Sequence, residues 1–582
     1  MSAARIGVGT GGRVAPLPAL PRARAAALFG VLALLFAILI GRTFYLQWVD
    51  NGFLQERGAA RFSREIELPA HRGQIVDRFG EALAISTPVK SLWTFPGQFE
   101  ATPAELAALA RVLETTPQRL SARIVSAGED FTVLARQIAP ETAARAMALK
   151  IKGLNEQTEY RRYYPGGEVT AQIIGFTGDQ DRGQEGIELA QQEWLGGKTG
   201  SRRVIINRRG DVVEDIASVR APQAGRNLAL SIDSRLQYVA YRELKAAVER
   251  HKAKAGGLVI IDARSGEILA LANLPTYNPN ARNKTARERM RNRALTDVFE
   301  PGSTMKPFTI AAAMDAGKVR PDSVIHTEGG TLSIGGATIH DAHPAGPLTV
   351  EQVIQKSSNV GAAKIALSLP AETLWKMLSE AGFGTPPRTG FPGEVAGRLR
   401  PAKTWRPIEQ ATMSYGHGLS VNLVQLARAY TAFASDGELK PVTLFKTDSP
   451  VAGRPVVSAR TARAVRHMLE LATQPGGTAP KAQVAGYRVA GKTGTARKLE
   501  GHSYTAKYVA SFVGFAPASD PRLIVAVMLD EPSGGSYYGG DVAGPVFSDV
   551  MGAALRLLGA PTDAPTDNLI LPPPGAEIRE ET

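Results

Sequence analysis

Ser303 and Lys306 are the only serine and lysine in the chain with the lysine three residues after the serine. They lie in Phe299-Glu300-Pro301-Gly302-Ser303-Thr304-Met305-Lys306-Pro307-Phe308, where Pro301-Gly302 reads as a turn and the apolar run Phe308–Ala316 as the body of a helix. Positions i and i+3 share a helix face, so the hydroxyl and the amine can touch. A serine hydroxyl becomes a nucleophile once a base takes its proton, and a neutral lysine amine is such a base. The helix start adds N–H groups and a positive dipole end that favour developing negative charge. The chemistry on offer is acyl transfer. A free lysine holds its proton up to a pH near 10.4, so Lys306 would have to be perturbed by about three units to act at neutral pH.

A helix start with a solvated lysine shows the same spacing, so the pair needs company. Ser357-Ser358-Asn359 and Lys492-Thr493-Gly494-Thr495 follow it, in the order serine acyltransferases of this kind use. Ser357 can relay a proton between Lys306 and a leaving or attacking amine. The Asn359 amide both donates and accepts, so it can hold a peptide backbone beside the nucleophile. Lys492 with Thr493 and Thr495 can bind a carboxylate, and Gly494 lets a ligand approach the backbone. A turn at the end of the strand around Val489-Ala490 is the plain alternative for that tripeptide. Ser420-Val421-Asn422 repeats the Ser-x-Asn spacing, but it opens the apolar-periodic run Leu423–Phe433, where Asn422 reads as an N-cap.

These residues need a scaffold of several domains, because 582 residues exceed one core. The content is 44% hydrophobic and 21% charged, ordinary for a globular protein. A net charge of +13 suits work beside an anionic membrane or cell wall. Nucleic acid is the competing partner for such charge, but no zinc-ligand spacing or nucleic-acid motif supports it. With 0 cysteines, disulfides and thiolate metal sites are excluded, and no metal or cofactor is called for.

Residues 1–24 carry Arg5, Arg13, Arg22 and Arg24 and no acid. Ala25–Gly41 follows without a charge, and at 1.5 Å per residue it gives about 25 Å. Thr43–Val49 extends it past Arg42, with Tyr45 and Trp48 suited to the interface. We expect a basic cytoplasmic tail (1–24), an uncleaved membrane anchor (25–49) and everything beyond on the outer side. Residues 50–225 read as a mixed pedestal. Within it, His71–Gly80 is a turn held by ion pairs, Thr102–Ala127 and Pro140–Leu154 are surface helices, and Ala171–Phe176 is a buried strand. From residue 226 to 559 the order is strands (Gly257–Asp262, Glu267–Ala272), helices, strands (Tyr508–Ala516, Leu523–Leu529) and a final helix, Gly544–Leu558. That order implies an α/β (α+β) domain with one sheet built from both chain ends. Arg282–Arg293 reads as a solvated face, and 560–582 as a disordered tail.

The three motifs together resemble the penicillin-recognising serine transferases. Adding the single anchor, Arg72-Gly73-Gln74-Ile75-Val76-Asp77-Arg78 and Tyr163-Tyr164-Pro165, the chain resembles their class B, the penicillin-binding proteins with an elongated pedestal. Ser414-Tyr415-Gly416-His417-Gly418 and Tyr537-Tyr538-Gly539-Gly540 are further family-like stretches. The resemblance implies a transpeptidase domain with a five-stranded antiparallel sheet flanked by helices. It implies a serine acyl-enzyme on Ser303, with Lys306 as base, Ser357 as relay and Asn359 as substrate clamp. Lys492, Thr493, Gly494 and Thr495 would bind the D-Ala-D-Ala carboxylate, and the N–H groups of Ser303 and Thr495 would form the oxyanion hole. Stem peptides and β-lactams are the implied ligands, and a glycosyltransferase of the FtsW type and other division proteins the implied partners. The compact Ala84-Ile85-Ser86 and short pedestal favour the division-specific branch over the elongation-specific one. A non-catalytic penicillin-binding membrane receptor or scaffold remains the alternative from another class.

Overall fold

The computed structural model describes residues 21–49, 63–127, 132–178, 181–206, 212–282, 285–447, 449, 451–501 and 503–569. The expected basic tail through residue 20 and the last part of the expected disordered tail, 570–582, lie outside the described residues. Helix α1 (Arg22–Phe44) runs on into a π-helical turn, Tyr45–Val49, and buries no residue. At 1.5 Å per residue it is about 34 Å long, enough to cross a bilayer, and its apolar side chains stand uncovered by protein.

The pedestal follows as β1 (Ser63–Leu68), β2 (Ile75–Val76), β3 (Ala82–Thr94), α2 (Pro103–Val112), α3 (Pro117–Ser126), β4 (Thr132–Ile138), α4 (Pro140–Met147), β5 (Asn155–Tyr163), β6 (Gly200–Ile206), β7 (Val212–Arg220) and β8 (Leu228–Ala229). β1, β6 and β7 form one antiparallel sheet. A second sheet has the order β8-β2-β3-β4, with β5 also on β3 and β8 parallel to β2. The expected boundary at residue 225 therefore falls short, because β8 still belongs to the pedestal sheet.

Three local expectations are corrected. Thr102–Ala127 is two helices, because Glu114 takes φ +52° and Thr116 starts anew as an N-cap ahead of Pro117. The helix expected over Pro140–Leu154 stops at Met147, with Lys150 at φ +51°. Ala171–Ile174 is a helical turn rather than a strand. All four of its residues are buried, Gln172 among them, and a short run buried on every side carries no period to tell the two apart.

The Arg72 turn is held by ion pairs, but not within itself. Arg72 is fully buried and its guanidinium reaches Glu188, with Nε to Oε2 at 2.7 Å, while Arg162 Nε meets the other carboxylate oxygen at 2.6 Å. Arg72 also donates to Asp181 O and Gln192 Oε1, both at 2.9 Å. Asp77 accepts from the N–H groups of Phe79 and Glu81 and from Ser234 Oγ at 2.8 Å, tying the turn to the next domain.

That domain comprises α5 (Ser234–Arg250), β9 (Ala255–Asp262), β10 (Ile268–Leu274), α6 (Lys306–Asp315), α7 (Asn359–Leu367), α8 (Leu423–Ala429), α9 (Ala459–Leu471), β11 (Ala490–Glu500), β12 (Ser503–Ala516), β13 (Leu523–Asp530) and α10 (Gly544–Leu557). Its sheet has the order β10-β9-β13-β12-β11 and is antiparallel throughout, with β11 at one edge. Both faces are covered, so β9 is buried at every residue. Leu258 and Ile260 pack with α5 and α10, whereas Val259 and Ile261 face the core around α6, α8 and α9. That second core continues into the pedestal through Ile75, Leu83, Tyr164 and Ile173.

The disordered-tail expectation is corrected for residues 560–569. Asp563 accepts from Arg488 N at 2.7 Å and Ser519 Oγ at 2.7 Å, and Asn568 from Gly486 N at 3.1 Å, so this stretch is hydrogen-bonded down onto the domain. Its Pro and Asp content reads as turn and cap chemistry rather than as disorder.

Glu188 neutralises two buried arginines, so Glu188→Ala is expected to cost about 3–5 kcal/mol, seen as an early unfolding transition of the pedestal. A thermal transition within 1 °C of wild type would show that the pair does not hold the pedestal together.

Candidate active site

Gly302–Met305 form a 3₁₀ turn that leads directly into α6, and this puts Ser303 one turn ahead of Lys306. Pro307 at the second helical position fits there because its missing N–H would have had no partner in the helix. α6 is buried from Lys306 to Met314. Phe308 stacks edge-on with Phe383 and Tyr430, and Tyr430 Oη donates to Thr304 O at 2.9 Å. The nucleophile turn is thus clamped by the core rather than displayed on a loop.

Lys306 Nζ lies 2.8 Å from Ser303 Oγ, 3.0 Å from Ser357 Oγ, 2.6 Å from Ser357 O and 2.8 Å from Asn359 Oδ1. A neutral amine has two N–H bonds and a lone pair. Donating to Ser357 O and Asn359 Oδ1 leaves the lone pair for the Ser303 hydroxyl proton, with Ser357 Oγ next in line. Ser357 has φ +59°, which turns both its carbonyl and its hydroxyl toward the amine. The following residues hold it there. Ser358 caps α7 by accepting from Gly361 N and donates to Asp341 Oδ2 at 2.7 Å, Val360 N donates to Asp341 Oδ1, and Asn359 Nδ2 donates to His340 O.

Lys492, Thr493, Gly494 and Thr495 lie inside β11, not in a turn at a strand end. The strand passes so close to the nucleophile turn that a Cβ on Gly494 would sit 2.6 Å from Pro301 O. Lys492 Nζ donates to Thr493 Oγ1 at 3.0 Å and to Thr478 Oγ1 at 3.4 Å, and Thr495 Oγ1 accepts from Gly539 N at 3.0 Å. A third wall comes from the loop after Ser414. Gly416 has φ +90°, and a Cβ there would meet Gly302 O at 2.1 Å. Asn422, by contrast, caps α8 through Gln425 N and takes no part.

The structure thus brings Ser303, Lys306, Ser357 and Asn359 into one hydrogen-bonded cluster and lays the Lys492–Thr495 strand alongside. Several neighbours are not legible from motif spacing: Thr478, Asp341, and a cluster of Glu300, His417 and Tyr504. Thr478 follows Gly476-Gly477, a turn signal without a chemical one. Glu300 and His417 stand inside family-like stretches, but their types alone assign no task. Burial, reinforced by the charge of Lys306, pushes His417 down to about 4, so its ring is neutral at neutral pH.

Residues 256–552 match the family model for the penicillin binding protein transpeptidase domain, and residues 67–230 match that for the penicillin-binding protein dimerisation domain. The chain is similar to the probable peptidoglycan D,D-transpeptidase PenA of Neisseria gonorrhoeae, 45% identical with 91% of each chain covered. It is similar to the peptidoglycan D,D-transpeptidase FtsI of Escherichia coli, 43% identical over 93% of each. It also resembles the apo transpeptidase domain of penicillin-binding protein 3 from Burkholderia pseudomallei. That match has 54% identity and a TM-score of 0.54 and covers 58% of this chain and 98% of that one.

Arginine cannot give up its proton at neutral pH, so Lys306→Arg is expected to slow acylation of Ser303 by a penicillin about 10³-fold. A rate near wild type would remove Lys306 as base. His417 also carries a pH signature. Between pH 6.5 and 4 the unfolded chain takes a proton that folded His417 refuses, so stability falls as pH falls. Asp181, raised to about 6 by burial, has the opposite sign, because the folded form takes its proton first. Comparison with His417→Gln cancels the Asp181 term. The melting midpoint of the variant should fall less from pH 6.5 to 4 than that of wild type, and equal slopes would contradict the assignment.

Proposed function

The chain belongs to the class B penicillin-binding proteins, and on that premise we propose how its residues carry out peptidoglycan D,D-transpeptidation. The carrying observation is the Lys306 amine held 2.8 Å from Ser303 Oγ and 3.0 Å from Ser357 Oγ in a buried cluster. Ser303 Oγ attacks the carbonyl of the penultimate D-Ala of a stem peptide while Lys306 takes its proton. The N–H groups of Ser303 and Thr495 face the oxygen that becomes negative. Ser357 passes the proton to the nitrogen of the terminal D-Ala, which leaves. Asn359 holds the stem backbone, and Lys492, Thr493 and Thr495 hold the terminal carboxylate. An amine from a neighbouring stem then attacks the ester and loses its proton along the reverse path, and Ser303 recovers its own. The product is a cross-link between strands. β-Lactams present an amide in place of D-Ala-D-Ala and acylate the same oxygen.

An N-terminal apolar helix, the one helix among the described residues long enough to cross a membrane, anchors the protein. Arg5, Arg13, Arg22 and Arg24 before it support a cytoplasmic N-terminus in a bacterial inner membrane, with the pedestal and catalytic domain in the periplasm. The similarity over nearly the whole length of FtsI supports septal rather than elongating synthesis. It also supports association with an FtsW-type glycosyltransferase and other division proteins through the pedestal.

A fluorescent penicillin is expected to give a stable adduct that peptide mapping places on Ser303 and that Ser303→Ala abolishes. Depletion of the protein is expected to give filaments. No adduct on folded wild-type protein would point to the receptor reading instead, and rounded cells on depletion would point to elongation.

A further inference from the structure

The segment that follows β10 runs against the end of β5 in the pedestal, and the crossing is fixed by hydrogen bonds. Asn280 Nδ2 donates to Tyr164 O at 2.9 Å, and Tyr164 N donates to Asn280 Oδ1 at 3.0 Å. Arg282 donates to Thr177 O at 3.0 Å, and its guanidinium lies 3.9 Å from the centre of the Phe176 ring. The crossing leaves a cavity of about 260 Å³, lined by Arg161, Arg162, Thr177 and Asp181 on the pedestal side and by Asn280 and Arg282 on the other. It shares no lining residue with the active site.

Two buried atoms of that lining have no hydrogen-bond partner among the described residues: Arg162 Nη2, a donor, and Asp181 Oδ1. Arg162 is held firmly, with Nε bound to Glu188 Oε1 at 2.6 Å and Nη1 to Ser86 Oγ at 3.0 Å, and its side chain is 2% exposed. Asp181 is held by its own carbonyl, which accepts from Arg72 Nη1 at 2.9 Å. A charged group with an unsatisfied polar atom in the interior is costly, so both atoms call for an occupant. Waters could meet them one at a time. The cavity nevertheless holds much more than one water, which takes ~30 Å³ in the liquid.

Charge narrows the choice. The cavity and the network behind it carry four arginines, Arg72, Arg161, Arg162 and Arg282, against two carboxylates, Glu188 and Asp181. That excess favours an anion, and the arginine fork matches the geometry of an oxyanion. Burial raises Asp181 to about 6, so at neutral pH it is mainly ionised and its free oxygen accepts. The occupant therefore has to accept from Arg162 and donate to Asp181 at once. Hydrogen phosphate does both, because its charged oxygens accept and its P–OH donates. Sulfate has no proton to give, and a phosphate monoester, with its second pKa at about 6, has lost most of its own by neutral pH.

We propose that this cavity between pedestal and catalytic domain binds one hydrogen phosphate ion, whose oxygens accept from Arg162 Nη2 and Arg282 and whose hydroxyl donates to Asp181 Oδ1. The site is separate from the transpeptidase cleft and does not depend on the reaction proposed above. Its partners come from both domains, so the bound ion ties them together and stabilises the folded chain.

Binding is measured by titration calorimetry on the full-length protein at neutral pH and constant ionic strength. The probes are inorganic phosphate, sulfate and glycerol 3-phosphate, and folding of each variant is checked by its thermal transition. Wild type is expected to bind phosphate at one site, about tenfold or more tightly than the other two, with a rise in melting midpoint. Asp181→Asn, whose amide donates as well as accepts, is expected to bring the phosphate-to-sulfate ratio to about one. Arg282→Gln is expected to weaken phosphate about tenfold. No phosphate binding to wild type overturns the proposal and leaves water as the occupant. Sulfate bound as tightly as phosphate overturns it as a general response to positive charge, and glycerol 3-phosphate bound as tightly overturns the free ion in favour of a monoester. An unchanged ratio in Asp181→Asn overturns it as well. Should that variant not fold, an unchanged phosphate affinity in Arg282→Gln does so.

Discussion

Burying the amine of Lys306 constrains everything around it. A polar head removed from water needs oxygen partners inside the protein, and those partners must leave its lone pair directed at Ser303. They come from three places: the 3₁₀ turn before α6, the bend at Ser357 and the start of α7. Ser357 reaches its position only in a left-handed backbone conformation that a serine rarely adopts, at a cost on the order of 1–3 kcal/mol. Asp341 holds the next residues in place by accepting from Ser358 Oγ and Val360 N, so the strained residue is followed at once by a well-capped helix. The strain sits at the point where chemistry needs a carbonyl and a hydroxyl aimed at one nitrogen.

The same constraint explains the packing. An amine is shielded from water only if its helix is a core helix, and α6 is covered on all sides by aromatic and aliphatic side chains. The edge strand β11 then has to come within contact of the nucleophile turn, which Gly494 permits because no larger residue fits against Pro301 O. Gly416 permits the same approach on the opposite wall. The substrate cleft is what remains between a core helix and a sheet edge. One wall is rigid because it is core, and the other offers backbone because it is an edge.

The pedestal shares that economy of construction. Its sheet closes with β8, just before the next domain begins, its apolar residues join the catalytic core, and Asp77 bonds to the start of α5. A membrane helix with no buried residue precedes it in the chain, and a buried Arg72–Glu188–Arg162 network ties its own segments together. The catalytic domain is therefore joined to the pedestal through hydrogen-bonded and packed structure.

The proposed chemistry was legible in the sequence because each step demands a residue type. A nucleophilic serine needs a lysine one helical turn away, and the second serine, the asparagine and the Lys-Thr-Gly-Thr run are recognisable by type and order. The membrane helix and the two hairpins of the sheet were legible because length and period are local properties. What tertiary structure alone decided is which distant residues meet. Asp341 reaches Ser358, 17 positions away, Tyr504 reaches Glu300, 204 away, and Arg72 reaches Glu188, 116 away. Each of these is an ordinary polar residue by type. Local propensity also misread Ala171–Ile174, where burial on every side erased the period, and 560–569, where Asp563 and Asn568 found backbone partners far away in the chain. Residue types and spacings specify the reactive groups, because reactivity is a property of side chains. The amine's surroundings and the shape of the cleft depend on contacts between distant segments, and only the packed chain brings those segments together.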